Sequence, residues 1–176
     1  MLGKAVVDAS GDADVAARVG APVTVGREGD HKMRPMSLLF RLGNVDVEAV
    51  LAYVRANPGE FSRDRNNQMI DLESGNIHLF GFFGLVEAAK AEGLLYPECH
   101  YFRVEAINPT RGTALVNTVR IYGVDGTNPA DVTRVEVEGR RQQKLLVEFP
   151  RRFVPGCAAF NYPHLYDRAG RCACIH

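Results

Sequence analysis

The sequence predicts an α+β domain, in which an antiparallel sheet carries helices mainly on one face. Apolar residues alternate with polar ones through Pro35–Leu42, as expected of a half-buried strand. Two further alternating stretches, His100–Ile107 and Thr113–Tyr122, are joined by the short turn Asn108–Gly112, which makes them antiparallel neighbours. Helical periodicity appears between the strands, most clearly in Val47–Ala56.

The first element is a short apolar run, Ala5–Val7, which predicts a buried strand that leads into a helix over Ala13–Val19. The turn between them contains Ser10 and Gly11, whose small side chains would let another molecule approach the backbone. An ordinary β–α turn is the alternative interpretation. A second short strand follows at Val23–Gly26.

The charged loop Arg27–Lys32 is expected to be exposed. In the strand Pro35–Leu42, one face is apolar and the other carries Ser37 and Arg41. The helix Val47–Ala56 has either Asn44 or Asp46 as its N-cap, and Asn57-Pro58-Gly59 ends it. The buried stripe of this helix comprises Val47, Val50, Leu51 and Val54.

The middle of the chain, Glu60–Asn76, is polar and predicts a loop with one short strand near Met69–Leu72. A helix is predicted over Leu85–Leu95, with Gly93 as its stop. Phenylalanines precede this helix, and they belong either to the core or to a wall against a bound ligand. They are Phe80, Phe82 and Phe83.

In the strand His100–Ile107, alternation places Phe102, Val104 and Ala106 on one face. Tyr101, Arg103 and Glu105 lie on the other face. Asn128 then caps a long helix that runs to about Phe149, with Pro129 in its first turn. Its predicted buried side consists of Val132, Val135, Leu145, Leu146 and Phe149.

Several blocks of the chain resemble, in order, a family of FAD-dependent oxidoreductases related to the glutathione-reductase-like flavoproteins. The stretch Lys4–Pro22, KAVVDASGDADVAARVGAP, is similar to the family's D-A-T-G-D-G-D-x-A-x-x-A-G-A-P block. Arg34–Asp46 is similar to its Q-P-M-T-L-M-F-R-x-G-G-V-D block. Shorter matches follow at Gly26–Gly29, Asn117–Arg120, Gly123–Thr127, Glu138–Gln142 and Pro155-Gly156.

The resemblance implies FAD as the cofactor and a division of the chain into three parts. Residues 1–27 are a β–α remnant of an FAD-binding domain, residues 28–156 a substrate-side α+β domain, and residues 157–176 a divergent tail. The carried-over cofactor contacts are Ser10, Gly11, Asp12 and Asp14, although Ser10 replaces a family Thr and Ala13 a family Gly. The tail suggests a truncated, recombined or frame-shifted gene, or a genuine short variant.

The sequence has no G-x-G-x-x-G unit, the glycine pattern with which such enzymes hold the cofactor pyrophosphate. The chain alone is therefore expected to purify without flavin and without redox activity. Uncovered apolar surface on residues 1–27 predicts a homo-oligomer, or a partner chain that supplies the rest of the FAD domain. The competing hypothesis is a standalone binding or assembly module that kept the scaffold without redox function.

No catalytic residue is assigned from the sequence. None of the five histidines has a spaced partner that suggests a triad or a metal pair. They are His31, His78, His100, His164 and His176. Arg120 and Arg140 lie in matching blocks, but either a solvated or a substrate-binding role suits an arginine there.

No metal site is expected, because a disordered, reduced tail is the preferred interpretation of Cys172, Cys174 and His176 over a three-ligand zinc site. The four cysteines show no disulfide framework and are expected to be reduced. A formal charge of zero and a pI near 7 argue against nucleic-acid and membrane partners. Without a leader or an apolar span, a cytoplasmic location is expected.

Overall fold

The computed structural model describes residues 3–62, 69–71 and 76–159. The helices are α1 (Asp14–Arg18), α2 (Val47–Ala56), α3 (Phe83–Ala91) and α4 (Pro129–Phe153), with a short 3-10 turn at Pro58–Glu60. The strands are β1 (Phe40–Leu42), β2 (Met69–Asp71), β3 (Asn76–Gly81), β4 (Phe102–Asn108) and β5 (Thr113–Val116). This confirms the predicted α+β class.

The strands form one antiparallel sheet in the order β1-β5-β4-β3-β2. Strands β1, β5, β4 and β3 make its main part, and β2 extends it through pairing with β3 alone. The segment before β1 continues the sheet by a bridge between Met36 and Ile121, whose backbone groups exchange hydrogen bonds of 2.9 and 3.0 Å. The pairing of these two segments therefore extends beyond β1 and β5, as far as Met36 and Ile121.

The core lies between the sheet and the helices, with α4 as its largest cover. At 25 residues, α4 is about 37 Å long and spans the sheet. Its Phe149 is fully buried and packs against Phe102 of β4, with ring centroids 5.1 Å apart. Gly139 faces Leu38 across this interface, and a Cβ at position 139 would make ordinary van der Waals contact with that side chain at 3.5 Å.

Local signals set the helix ends. Asp46 is the N-cap of α2, and its carboxylate accepts a hydrogen bond from the Ala49 amide. The predicted bounds of α2 and its buried stripe are confirmed. Asn128 is likewise the N-cap of α4, as predicted, and the helix continues four residues beyond Phe149.

Several predictions about local structure are wrong. Ala5–Val7 forms no strand and is exposed, because no neighbouring backbone pairs with it among the described residues. Val23–Gly26 shows only a single bridge position, at Val25. Leu145 lies on the exposed side of α4, because the stripe that faces the sheet passes through Gln143 and Leu146 instead.

Strand β4 departs from simple alternation at a β-bulge. Val104 pairs with Val116, but the next pair joins Ala106 to Leu115, so Glu105 is the extra residue. As a result Ala106 is exposed and Ile107 returns to the core, against the prediction that grouped Ala106 with Phe102.

Candidate functional site on the polar face of the sheet

The face of the sheet opposite the core carries a connected group of polar side chains. We call this group the polar sheet face. Each member is partly buried and projects from β3, β4 or the extended segments around β1 and β5. Its residues are Ser37, His78, Arg103, Glu105, Asn117 and Arg120.

Glu105 is the centre of this group. Its carboxylate pairs with Arg103, Nε to Oε1 at 2.9 Å and Nη2 to Oε2 at 3.3 Å. His78 Nε2 lies 3.2 Å from Oε2, and Asn117 Nδ2 donates to Oε1 at 2.6 Å. The β-bulge provides this position, because the inserted residue is the one that reaches all three neighbours.

Asn117 links the Glu105 cluster to Arg120. Its Oδ1 accepts one hydrogen bond from Ser37 Oγ at 3.0 Å and another from Arg120 Nη1 at 2.8 Å. The backbone of Arg120 is in turn fixed to α4, since Gln142 Oε1 accepts from its amide at 3.2 Å. The polar sheet face is thus a hydrogen-bonded network of Ser37, Arg103, Glu105, Asn117 and Arg120. His78 joins it at ion-pair distance from Glu105.

Aromatic rings border this network at the β3 end. Phe80 and Tyr101 pack with ring centroids 4.3 Å apart, and the Arg103 guanidinium lies 5.9 Å from the Phe80 centroid. Phe83 makes an edge contact with Phe80. Phe82, in contrast, is fully buried between Phe61 and Phe102. The prediction of a core position is therefore confirmed for Phe82, whereas Phe80 is partly exposed beside the polar network. That these rings form a wall against a ligand stays a prediction.

The four predicted cofactor contacts lie together in the loop before α1. Asp8 organises this loop, because its carboxylate accepts hydrogen bonds from the Ser10 amide, the Ser10 hydroxyl and the Ala16 amide at 2.6–2.9 Å. The Ser10 hydroxyl is the main reason that the pKa of Asp8 is lowered to about 2, and the backbone donors add to it.

Among the predicted contacts themselves, Ser10 Oγ accepts from the Asp14 amide at 2.7 Å. Gly11 is exposed, with open space where a Cβ would stand. Ala13 has a φ of +54°, the left-handed conformation for which the glycine of the family block is better suited. No hydrogen bond or ion pair within the described residues joins this loop to the polar sheet face.

Two members of the polar sheet face, His78 and Arg120, were candidates from the sequence without an assigned role. The other four, Ser37, Arg103, Glu105 and Asn117, were not predicted as site residues, although alternation placed Arg103 and Glu105 on one face. Of the other candidates, His31 and His100 are exposed and Arg140 pairs with Glu136 on α4 at 3.4 Å. His164, His176, Cys172 and Cys174 lie outside the described residues.

Convergent polar groups beside aromatic rings are a feature that ligand-binding sites share. Comparison with family models then gives one match, to the family described as FAD dependent oxidoreductase, over residues 1–171. The chain belongs to this family. The match extends past Pro155-Gly156, where the motif resemblance ended, into residues 157–171.

The comparisons with curated proteins and with solved structures give no match. Within the described residues, no helix combines the length and apolar character that crossing a bilayer requires. The cytoplasmic location stays a prediction.

Proposed function

We propose that this chain provides the substrate-side domain of an FAD-dependent oxidoreductase, with its polar sheet face directed at the substrate. The Glu105 network is the observation that carries the proposal. The partly buried Glu105 carboxylate contacts an arginine, a histidine and an amide, and so presents these polar groups to a ligand in a fixed arrangement. Family membership supplies the reaction class.

The residues of the polar sheet face have separate tasks in this proposal. Arg103 holds Glu105 by two contacts and so fixes the orientation of its carboxylate. His78, next to the same carboxylate, is placed to give a proton to a substrate or take one from it. Phe80 and Tyr101 exclude water at one border. Bound FAD would supply the electron transfer.

The loop before α1 fits one part of FAD and not another. The carboxylate of Asp8 already accepts from the Ala16 amide in the first turn of the helix and from the Ser10 amide before it, and its negative charge would repel a phosphate. Asp12 and Asp14 show no side-chain hydrogen bond to a described residue, and a carboxylate is a suitable acceptor for sugar-chain hydroxyls. The loop therefore suits the hydroxyl-bearing chain of FAD, with Ser10 shaping it and Gly11 allowing close approach.

The same proposal includes weak cofactor binding by the isolated chain. The sequence contains no G-x-G-x-x-G unit, and the loop offers no free helix start to a pyrophosphate. Flavin absorbance near 450 nm after gel filtration tests this point. A yellow protein with one FAD per chain would contradict it, whereas a colourless one agrees with it.

Whether the polar sheet face is the face that meets the flavin and its substrate is tested with isotopically labelled chain. Millimolar FAD is added, and the NMR chemical shifts of amides and side chains are recorded. We expect saturable shifts at Glu105, Asn117 and the loop before α1, and weaker ones in a Glu105→Gln variant. Glu136→Gln, on α4, is the matched control and should respond as wild type. Shifts confined to α4, or none at saturating flavin, would contradict the proposal and favour a standalone binding module.

Self-association is a further part of the proposal. Residues 3–27 expose several valines and contribute no strand to the sheet, so a second copy could cover them. Apolar surface left in water costs about 25 cal/mol per Å². The most exposed are Val6, Val7 and Val19, at 77, 88 and 75%. Light scattering should give a mass that rises toward a dimer with concentration; a constant monomer mass would contradict this.

A further inference from the structure

Arg120 carries a positive charge that is held in place but not balanced. No carboxylate lies within ion-pair distance of its guanidinium in the described part of the chain. Its Nη1 donates to two neutral acceptors, Asn117 Oδ1 and the Val119 carbonyl, both at 2.8 Å. The guanidinium is therefore oriented by partners that do not neutralise it.

The neighbours of Arg120 cannot supply the missing negative charge. Glu105 is the acidic member of the polar sheet face, and it is already shared by Arg103 and His78. Tyr96 also lies close enough to sense Arg120, but burial raises the pKa of its phenol far above the ordinary value, so it stays neutral. A partly buried cation without a counter-charge favours binding of an external anion.

The cleft that would take the body of such an anion begins two residues along the chain from Arg120, at Tyr122, and Arg120 itself does not line it. Met36 and Ile121 are paired and buried, so the residues on either side of them point to the opposite face. Pro35 and Tyr122 lie on one side of this pair, and Ser37 and Arg120 on the other, about 7 Å away along the strands. Pro35 and Tyr122 line a cleft of about 740 Å³.

The charges around the cleft favour an anion of low charge. Arg27, Lys32 and Arg34 line it together with Glu28, and Asp30 pairs with Arg27 and Lys32. Three cations and two carboxylates leave a surplus of one positive charge. Tyr122, 64% exposed, offers an aromatic surface beside these charges.

We propose that Arg120 binds the carboxylate of an organic acid whose apolar part lies in the cleft against Pro35 and Tyr122. A guanidinium pairs with a carboxylate through two parallel hydrogen bonds, and Arg120 has Nε and Nη2 left for them in the described contacts. The inference names the substrate class for the proposed function and rests on it, but its test uses no flavin, so the two proposals can fail separately.

The probe is phenylacetate, which joins one carboxylate to one ring, and phenylacetamide is its neutral isostere. Titration of the full chain is followed by NMR and calorimetry. We expect saturable shifts at the Arg120 Nε–H and at Tyr122, with phenylacetamide at least about tenfold weaker because it lacks the charge. Inorganic phosphate should compete poorly.

Variants separate the role of Arg120 from general electrostatics. Arg120→Gln should weaken phenylacetate binding at least about tenfold, and Arg120→Lys should restore part of it without the two-point geometry. Arg41→Gln, an exposed residue on β1, is the matched control and should bind as wild type. The wild-type shift map remains decisive if Arg120→Gln does not fold.

Three outcomes would overturn the proposal. They are equal binding of phenylacetate and phenylacetamide, unchanged affinity in a folded Arg120→Gln chain, and tighter binding of phosphate than of phenylacetate.

Discussion

Asp8 shows what a single side chain contributes to the N-terminal part of this chain. Its carboxylate satisfies amides on both sides of the turn, and its pKa is lowered to about 2, first by the Ser10 hydroxyl. Because the folded-state pKa is depressed, this contribution is present above the ordinary value of about 3.9 and is lost as the pH falls toward 2.

Replacing Ser10 by Ala should raise the pKa of Asp8, since the largest stabilising donor is removed while the Ala16 amide remains. The titration of the Asp8 carboxyl carbon, followed by NMR from about pH 1.5 to about pH 6, measures this pKa. The range brackets the ordinary value for an aspartate. Asp12→Asn serves as the control and should leave the titration of Asp8 in place. An unchanged titration curve of Asp8 in the Ser10→Ala variant would show that the backbone donors alone lower the pKa of Asp8.

Residue roles could be predicted from the sequence where the partner is close along the chain. Either Asn44 or Asp46 was a possible cap for α2, and the contact with Ala49 selects Asp46. Asn44 instead has a φ of +55° and donates to the Ala159 carbonyl, 115 positions away. The role of Glu105 was out of reach, because His78 and Asn117 come to it only through tertiary pairing.

At the scale of elements, the contact between α4 and the sheet has room at Gly139 for a methyl group but not for a larger side chain. A Cβ there would make ordinary van der Waals contact, 3.4 Å from Ile121 and 3.5 Å from Leu38. Gly139→Leu places further atoms against these side chains and should destabilise the fold by about 1–3 kcal/mol through overpacking. Gly139→Ala should stabilise the fold by up to about 1 kcal/mol, because helix propensity rises and the Cβ fits.

Urea unfolding followed by circular dichroism gives both free energies. Lys144→Leu, at an exposed position of α4, introduces the same side chain away from the sheet and should have little effect. If Gly139→Leu were as stable as wild type, the close approach of α4 to Leu38 and Ile121 would be wrong.

The elements that the sequence predicted best are those with local start and stop signals. α2 agrees to the residue because a cap, an apolar stripe and Asn57-Pro58 all act within the helix. α3 begins two residues before the predicted Leu85 and ends four before Leu95, since Gly93 turns the chain at a φ of +72°. In β4, alternation failed at the bulge, which pairing with β5 creates.

For the molecule as a whole, two buried cysteines show how far the core excludes water. Cys99 precedes β4 and Cys157 follows α4, and burial raises the pKa of these thiols to about 11 and about 12. Their raised folded-state pKa stabilises the fold below the ordinary value, near 9. That contribution disappears as the pH rises through 11 to 12.

The thiolate is the form that reacts with iodoacetamide, so the native chain should be alkylated at Cys99 about 100-fold more slowly than the urea-unfolded chain at pH 8. Mass spectrometry of the peptides that contain Cys99 and Cys157 measures both rates. Equal rates in the native and unfolded chains would show that these thiols are accessible.

The order of strands could be predicted only in part. The sequence indicated that β4 and β5 are neighbours, because a short turn joins them. It did not indicate that β1 pairs with β5, or that residues 3–27 lie outside the sheet. Both depend on which distant surfaces can be covered, which composition and periodicity do not encode.

Because Glu105 is the extra residue of the bulge, a one-residue deletion would remove the polar cluster and leave the sheet pairing in place. Loss of one codon, for Glu105, would let Ala106 follow Val104 in regular register, while the pairs on either side with β5 remain as they are. The shortened chain should keep its circular dichroism spectrum yet lose the fixed geometry of Arg103, His78 and Asn117, seen as averaged side-chain NMR signals. Insertion or deletion of one residue at this position therefore adds or removes the polar cluster while the pairing of β4 with β5 is kept.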